Sequence, residues 1–159
     1  MGQSIAYCLS SVEGMLGRVE VENRESGIIA VENIENMESL IQRVRQIAYE
    51  VHEYLGNGYL EKVYENCLRH RLEKAGYKVE AQKPLPVYDV DGFLLGDYFA
   101  DLFVEGRLIV ELKATKGISA ENLAQTMNYL KIGGQDVALV INFGSYQFET
   151  RKVFAPKHG

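Results

Sequence analysis

The sequence predicts an α+β fold, a central mixed β-sheet flanked by helices, in the order ααβββαβ with a further strand at the end. Three observations carry that reading. Two stretches of helical periodicity come first, at residues 37–55 and 59–75. The period switches to alternation from Lys78 onward. A third helix at residues 121–132 then separates that block from the unbroken apolar run Val137-Ala138-Leu139-Val140-Ile141, which reads as a fully buried strand.

The elements follow in order. Residues 1–37 form an acidic leader of uncertain structure. Gly27–Val31 could make a short strand there, and a hairpin, a partner-binding arm and a mobile leader stand level. Residues 38–159 form the main domain. In its first helix Leu40, Ile41, Val44, Ile47, Ala48, Val51 and Leu55 share a face, and Gly56-Asn57-Gly58 stops it. In the second helix the stripe is Leu60, Val63, Tyr64, Cys67, Leu68, Leu72 and Ala75, and Gly76 closes it. Lys78–Tyr88 is extended, and Pro84 and Pro86 suggest a sheet edge or a kink. Asp89–Gly92 is a turn. Phe93–Val104 is the next strand, with a bulge expected near Gly96, and Arg107–Ala114 the third. Gly133-Gly134 ends the third helix, and Tyr146–Phe154 supplies the extra edge strand.

Bulk properties bound the function. A chain of 159 residues, 47% hydrophobic and 25% charged, is the size and composition of one globular domain. No apolar run approaches the roughly 20 residues a membrane span needs. The N-terminus lacks a basic region followed by an apolar one, so no signal peptide is expected. Cys8 and Cys67 are the two cysteines, too few for a thiolate cluster, which suggests a reduced, cytoplasmic protein. The net charge of −5 lies in residues 1–42, which hold two basic and seven acidic residues. Residues 43–159 hold 15 of each and sum to zero, which permits a nucleic-acid groove without showing one.

The chemistry centres on Glu111-Leu112-Lys113. Alternation places Ile109, Glu111 and Lys113 on one face of their strand, stranding two charges beside an apolar neighbour. Phe99, Asp101 and Phe103 are expected to share a face of the preceding strand. Pairing Val104 with Leu108 sets Asp101 directly across from Glu111. That register needs a three-residue loop at Glu105-Gly106-Arg107, with Gly106 or a neighbour at positive φ; a two-residue turn would oppose Asp101 to Val110 instead. Two carboxylates about 5 Å apart repel unless a cation joins them, and hard oxygens favour Mg²⁺, with Mn²⁺ also admitted. Lys113 could hold a water or offset charge on a phosphorane-like transition state. On an ideal helix Glu61 falls within the arc of Val63, Leu68 and Leu72 and points inward, with Glu65 just outside that arc. Gln125 and Tyr129 lie one turn apart on the third helix.

Plainer readings exist for each residue. Glu111 and Lys113 could be a solvated charge pair, Asp101 a surface acid and Glu61 a first-turn glutamate favoured by the helix dipole. Gln125 and Tyr129 could simply pack their helix on the sheet. His52, Gly58, Tyr64 and Asp97 read as structural. The order of the charged motifs weighs against these readings taken together.

Gly58-x-x-Glu61-x-x-Tyr64, then Asp101, Glu111-x-Lys113 and Gln125-x-x-x-Tyr129 resemble the GxxExxY family, within the PD-(D/E)xK nuclease superfamily and similar to its RecB-like branch. The likeness covers about residues 38–150, including Val51-His52 and Ile141-Asn142-Phe143-Gly144. It implies a restriction-endonuclease-like core and Mg²⁺-dependent phosphodiester cleavage of nucleic acid, DNA ahead of RNA. Asp101 and Glu111 would be the metal ligands, with Glu61 the carboxylate contributed by a helix. Lys113 would be the catalytic lysine, and Gln125 and Tyr129 a supporting pair. Ala100 stands where such proteins often have proline before the aspartate. The competing reading is a nucleic-acid- or protein-binding module on a nuclease scaffold, with little turnover. Self-association is left open.

Overall fold

The computed structural model describes residues 16–22 and 29–156. The N-terminus, Cys8 and the first two residues of the strand expected at Gly27–Val31 lie outside them. Strands β1 (Leu16–Glu22) and β2 (Ile29–Glu35) form an antiparallel hairpin within a first compact unit that ends at Gln42. The second unit, Arg43–Gly159, carries the sheet.

Helix α1 (Met37–Leu55) begins where the Asn36 side chain accepts the Ser39 N–H at 2.8 Å. Val44, Ile47, Ala48 and Val51 are buried at the expected spacing. Gly56 adopts φ 66° and its N–H reaches the His52 carbonyl, closing the helix. Helix α2 (Glu61–Lys74) departs from expectation in its rotation. Leu60 and Val63 are exposed, and the buried face is Tyr64, Glu65, Leu68 and Leu72. The cause is Tyr64: its ring stacks on Phe143 with centroids 4.7 Å apart, and its hydroxyl donates to the Gly56 carbonyl at 2.7 Å. That contact fixes which side of α2 turns inward.

The sheet has the order β3-β4-β5-β6-β7, formed by Val79–Tyr88, Leu94–Val104, Leu108–Lys113, Val137–Asn142 and Glu149–Phe154. Among the described residues only β5 and β6 pair in parallel, joined by α3 (Ala120–Gly133). From α1 onward the order is ααβββαββ, a five-stranded mixed sheet with three helices. This is an α+β fold consistent with the expected restriction-endonuclease-like core. β3 is an edge strand, the first of the two readings Pro84 and Pro86 suggested. The bulge sits at Leu95: Val87 pairs with Gly96 and Tyr88 with Leu94, leaving Leu95 extra. β6 is buried throughout and β5 up to Leu112, so apolar runs replace alternation there. Helix α3 starts at a capping box between Ser119 and Asn122, and Gly134 ends it in the left-handed conformation. It packs on one face of the sheet through Tyr129 and Leu130 against Leu85, Ala100, Ile109, Ala138, Val140 and Val153. Among the described residues no helix is long and apolar enough to cross a membrane.

Candidate active site

The β4–β5 hairpin sets the site. Val104 pairs with Leu108, Phe103 with Ile109 and Leu102 with Val110, the register that opposes Asp101 to Glu111. The three-residue loop achieves it with Glu105 at φ 54° and Gly106 at φ 63°. Regular backbone pairing stops at Leu102. Beyond it the carboxylates bond the backbone themselves: Asp101 N–H donates to Glu111 Oε1 at 3.2 Å, and Leu112 N–H donates to Asp101 Oδ2 at 2.8 Å.

Alternation along β4 breaks at this point, contrary to the shared face expected for Phe99, Asp101 and Phe103. Ala100 and Phe103 both pack against the α3 side with Ile109, although they stand three residues apart. Across from Asp101 on β3, Gln82 has φ 53°, a left-handed conformation unusual for a side chain of this size. The irregularity turns Asp101 out of the regular pleat. Gln82 Nε2 then donates to Glu65 Oε2 at 2.9 Å and contacts Asp101 Oδ1 at 3.4 Å.

Helix α2 supplies two carboxylates. Glu65, expected just outside the inward arc, is buried and pairs with Lys62 at 2.6 Å. Glu61, one turn earlier, is half-buried and faces the same way. Its carboxyl is raised by burial and by Asp101, while Lys113 and the Ala114 amide act against the rise. Asp101 is raised chiefly by burial, against the pull of the Leu112 N–H. Glu111 is only 3% exposed, and burial followed by the charge of Asp101 lifts it to about 8. All three carboxyls therefore carry charge at a cost, and Lys113 offsets part of it at each.

Tyr129 is buried against the same cluster. Its hydroxyl is pushed up to about 12, first by burial and then by Glu111 and Asp101. Gln125 is exposed and lines a cavity beside Tyr129 rather than touching the carboxylates. His52 is buried, with Nε2 2.9 Å from the Ser145 carbonyl oxygen, and sits among Phe143 and Phe148 as a packing residue.

Gln82 and Asn142 had no assigned role in the sequence, and Glu65 had been placed just outside the inward arc. Asn142 is fully buried at the end of β6 beside Lys113. Its amide donates to the Thr115 carbonyl at 2.9 Å, and its Oδ1 accepts from Thr115 N–H and Gly144 N–H. It thus clamps the chain that leaves Lys113. Its place within Ile141-Asn142-Phe143-Gly144 was the available signal. The i+4 spacing of Glu65 from Glu61 was the signal for its inward face, whereas nothing in the sequence marks Gln82 for positive φ.

The donor set suits a hard divalent cation. Among the described residues no three His, Cys, Asp or Glu side chains converge as a closed metal cage. Mg²⁺ seldom needs one: it is typically held by one or two carboxylates, with water and phosphate completing the shell. Glu111 Oε2 carries no hydrogen bond among the described residues, and Asp101 Oδ1 has only the long contact from Gln82. One oxygen from each carboxylate is thus free for a cation.

No curated protein and no solved structure gives a match to the chain. A sequence model of one family does match, over residues 38–153, which holds both carboxylates, Lys113, Glu61 and α3. By that match the chain belongs to the PD-(D/E)XK nuclease superfamily.

Proposed function

We propose that this protein is a metal-dependent nuclease that hydrolyses phosphodiester bonds, DNA ahead of RNA, and that it falls within the GxxExxY family of the superfamily's RecB-like branch. The observation that carries the reading is buried Glu111 facing Asp101 where the β4–β5 ladder opens, with Lys113 two residues on. Asp101 and Glu111 would hold Mg²⁺ or Mn²⁺, with Glu61 contributing through water. When bound, the metal would supply charge for the scissile phosphate and a more acidic attacking water. Lys113 stands beside the carboxylates, where it can orient that water and offset charge on the phosphoryl oxygens. Tyr129 and the burial of Glu111 keep bulk water from one side of the pair.

The test is a panel of labelled single- and double-stranded DNA and RNA, incubated with Mg²⁺ or Mn²⁺. Wild type should cut at least one substrate, and Lys113→Ala should lower the rate by about 10³-fold or more while its circular dichroism is unchanged. Equal cleavage by the two proteins would end the proposal. A binding module without turnover would draw no benefit from a buried carboxylate pair, and Mg²⁺ would not raise its melting temperature.

A further inference from the structure

A cavity of about 270 Å³ lies between the outer half of the β3–β4 hairpin and α3. Its walls are Val87, Tyr98, Gln125, Asn128, Tyr129, Lys131 and Ile132. It adjoins the candidate catalytic groups: Tyr129 packs in one cluster with Ala100, next to Asp101 in sequence, and Ile109, two residues before Glu111. The walls combine four chemistries. Tyr98 and Tyr129 present two rings, with centroids 5.8 Å apart and planes at 51°. Gln125 and Asn128 present two exposed amides without a hydrogen-bond partner among the described residues. Val87 and Ile132 are aliphatic, and Lys131 is cationic. No carboxylate lines it, in a chain of net charge −5.

An enclosed packing void is lined by apolar groups, whereas this cavity opens to solvent. This one offers ring faces, amides able both to donate and to accept, and a positive charge. Those are the groups that stack on a nucleobase, read its edge and meet its phosphate. A base inside a duplex has both faces stacked and its pairing edge occupied, so it cannot use such a cavity. We propose that this cavity is a nucleobase subsite, which takes an unpaired base beside the scissile phosphate and selects single-stranded or locally opened nucleic acid. The proposal rests on the nuclease reading of the adjoining carboxylates. Tyr98, 47% exposed, is the stacking face, and Gln125 and Asn128 are the edge readers.

The experiment reads binding, in EDTA, where metal-dependent cleavage does not run. A fluorescein-labelled single-stranded oligonucleotide and the corresponding duplex are titrated with full-length protein and followed by anisotropy. Wild type should bind the single strand more tightly than the duplex. Tyr98→Ala should weaken single-strand binding by about 5- to 150-fold, the range expected for one stacked base, and leave duplex binding unchanged. Tyr98→Phe keeps the ring and should restore most of the affinity, which separates stacking from misfolding. Equal single-strand affinity in wild type and Tyr98→Ala, or equal losses on both substrates, would overturn the subsite. So would a Tyr98→Phe loss as large as that of Tyr98→Ala. If wild type cuts nucleic acid with Mg²⁺ yet fails these tests, only the subsite falls. If it neither binds nor cuts, the nuclease reading falls with it.

Discussion

Replacing Glu111 by glutamine should stabilise the metal-free protein at alkaline pH. Glu111 is buried, and its carboxyl is held at about 8 rather than 4.5. Below pH 4.5 it is protonated in both folded and unfolded chains and affects stability little. Between 4.5 and 8 the unfolded chain has released the proton and the folded one has not, so stability falls as pH rises. Above 8 both are ionised and the full penalty stands, about 5 kcal/mol. Glutamine keeps the oxygen that accepts the Asp101 N–H but never ionises. In EDTA, thermal melts of Glu111→Gln and wild type should nearly coincide at about pH 4 and separate in favour of the variant by about pH 8.5. For a chain of this size 1 kcal/mol moves the midpoint by roughly 3 °C, so even a third of the penalty gives about 5 °C. Some slope should persist in the variant, because Asp101 and Glu61 are raised in the same direction. Saturating Mg²⁺ should raise wild type, by about 2.7 kcal/mol at a hundredfold excess over Kd, and raise the variant less. A variant that is no more stable than wild type at pH 8.5 in EDTA would refute the claim that charge on Glu111 is held at a cost.

Other substitutions test the frame. Gly144→Ala should destabilise by about 3 kcal/mol in urea and also slow cleavage, because a Cβ there would collide with the backbone at Ala114 and Thr115, just after Lys113. Asn142→Asp replaces the donor facing the Thr115 carbonyl with an acceptor and should cost about 3 kcal/mol, read as a lower urea midpoint without change in slope. Tyr64→Phe leaves the Gly56 carbonyl without its 2.7 Å donor and should cost about 1–2 kcal/mol, with the Phe143 stack retained.

Much of this arrangement was legible because it follows from local rules. Period changes located the helices and strands, prolines pointed to an edge or a kink, and the loop at Gly106 was identified as the condition for opposing Asp101 to Glu111. What was not legible depends on contacts distant in sequence. The inward face of α2 is chosen by Tyr64 stacking on Phe143, 79 positions later in the chain. Helical arithmetic on α2 alone therefore left Glu65 outside the inward arc and buried Val63. Strict alternation failed at Asp101 because Gln82, on a different strand, takes positive φ opposite it. Gln125 was grouped with Tyr129 because the two are one turn apart. That is true of the helix, yet only Tyr129 reaches the buried side, and Gln125 opens onto the cavity.

The way the ladder ends decides which variant makes a clean test of catalysis. Asp101 and Glu111 are not side chains hung on a finished sheet. Past Leu102 their oxygens accept the Leu112 and Asp101 amides, bonds that regular pairing would otherwise make. Asp101→Ala therefore strips an acceptor from a buried backbone N–H, at a cost of about 1–3 kcal/mol, as well as removing a ligand. Lost activity in that variant would not separate chemistry from a frayed hairpin. Lys113 is different. Its backbone carbonyl accepts from Phe143 N–H at 2.8 Å, a bond alanine preserves, and its ammonium has no hydrogen bond or ion pair within the described residues. Its removal should also leave the three carboxyls less compensated, raising Glu61, Asp101 and Glu111 further and shifting any metal-dependent rate profile toward higher pH. A purely structural lysine would lower stability without that alkaline shift in residual activity, so the pH profile of Lys113→Ala, measured with excess Mn²⁺, distinguishes the two roles.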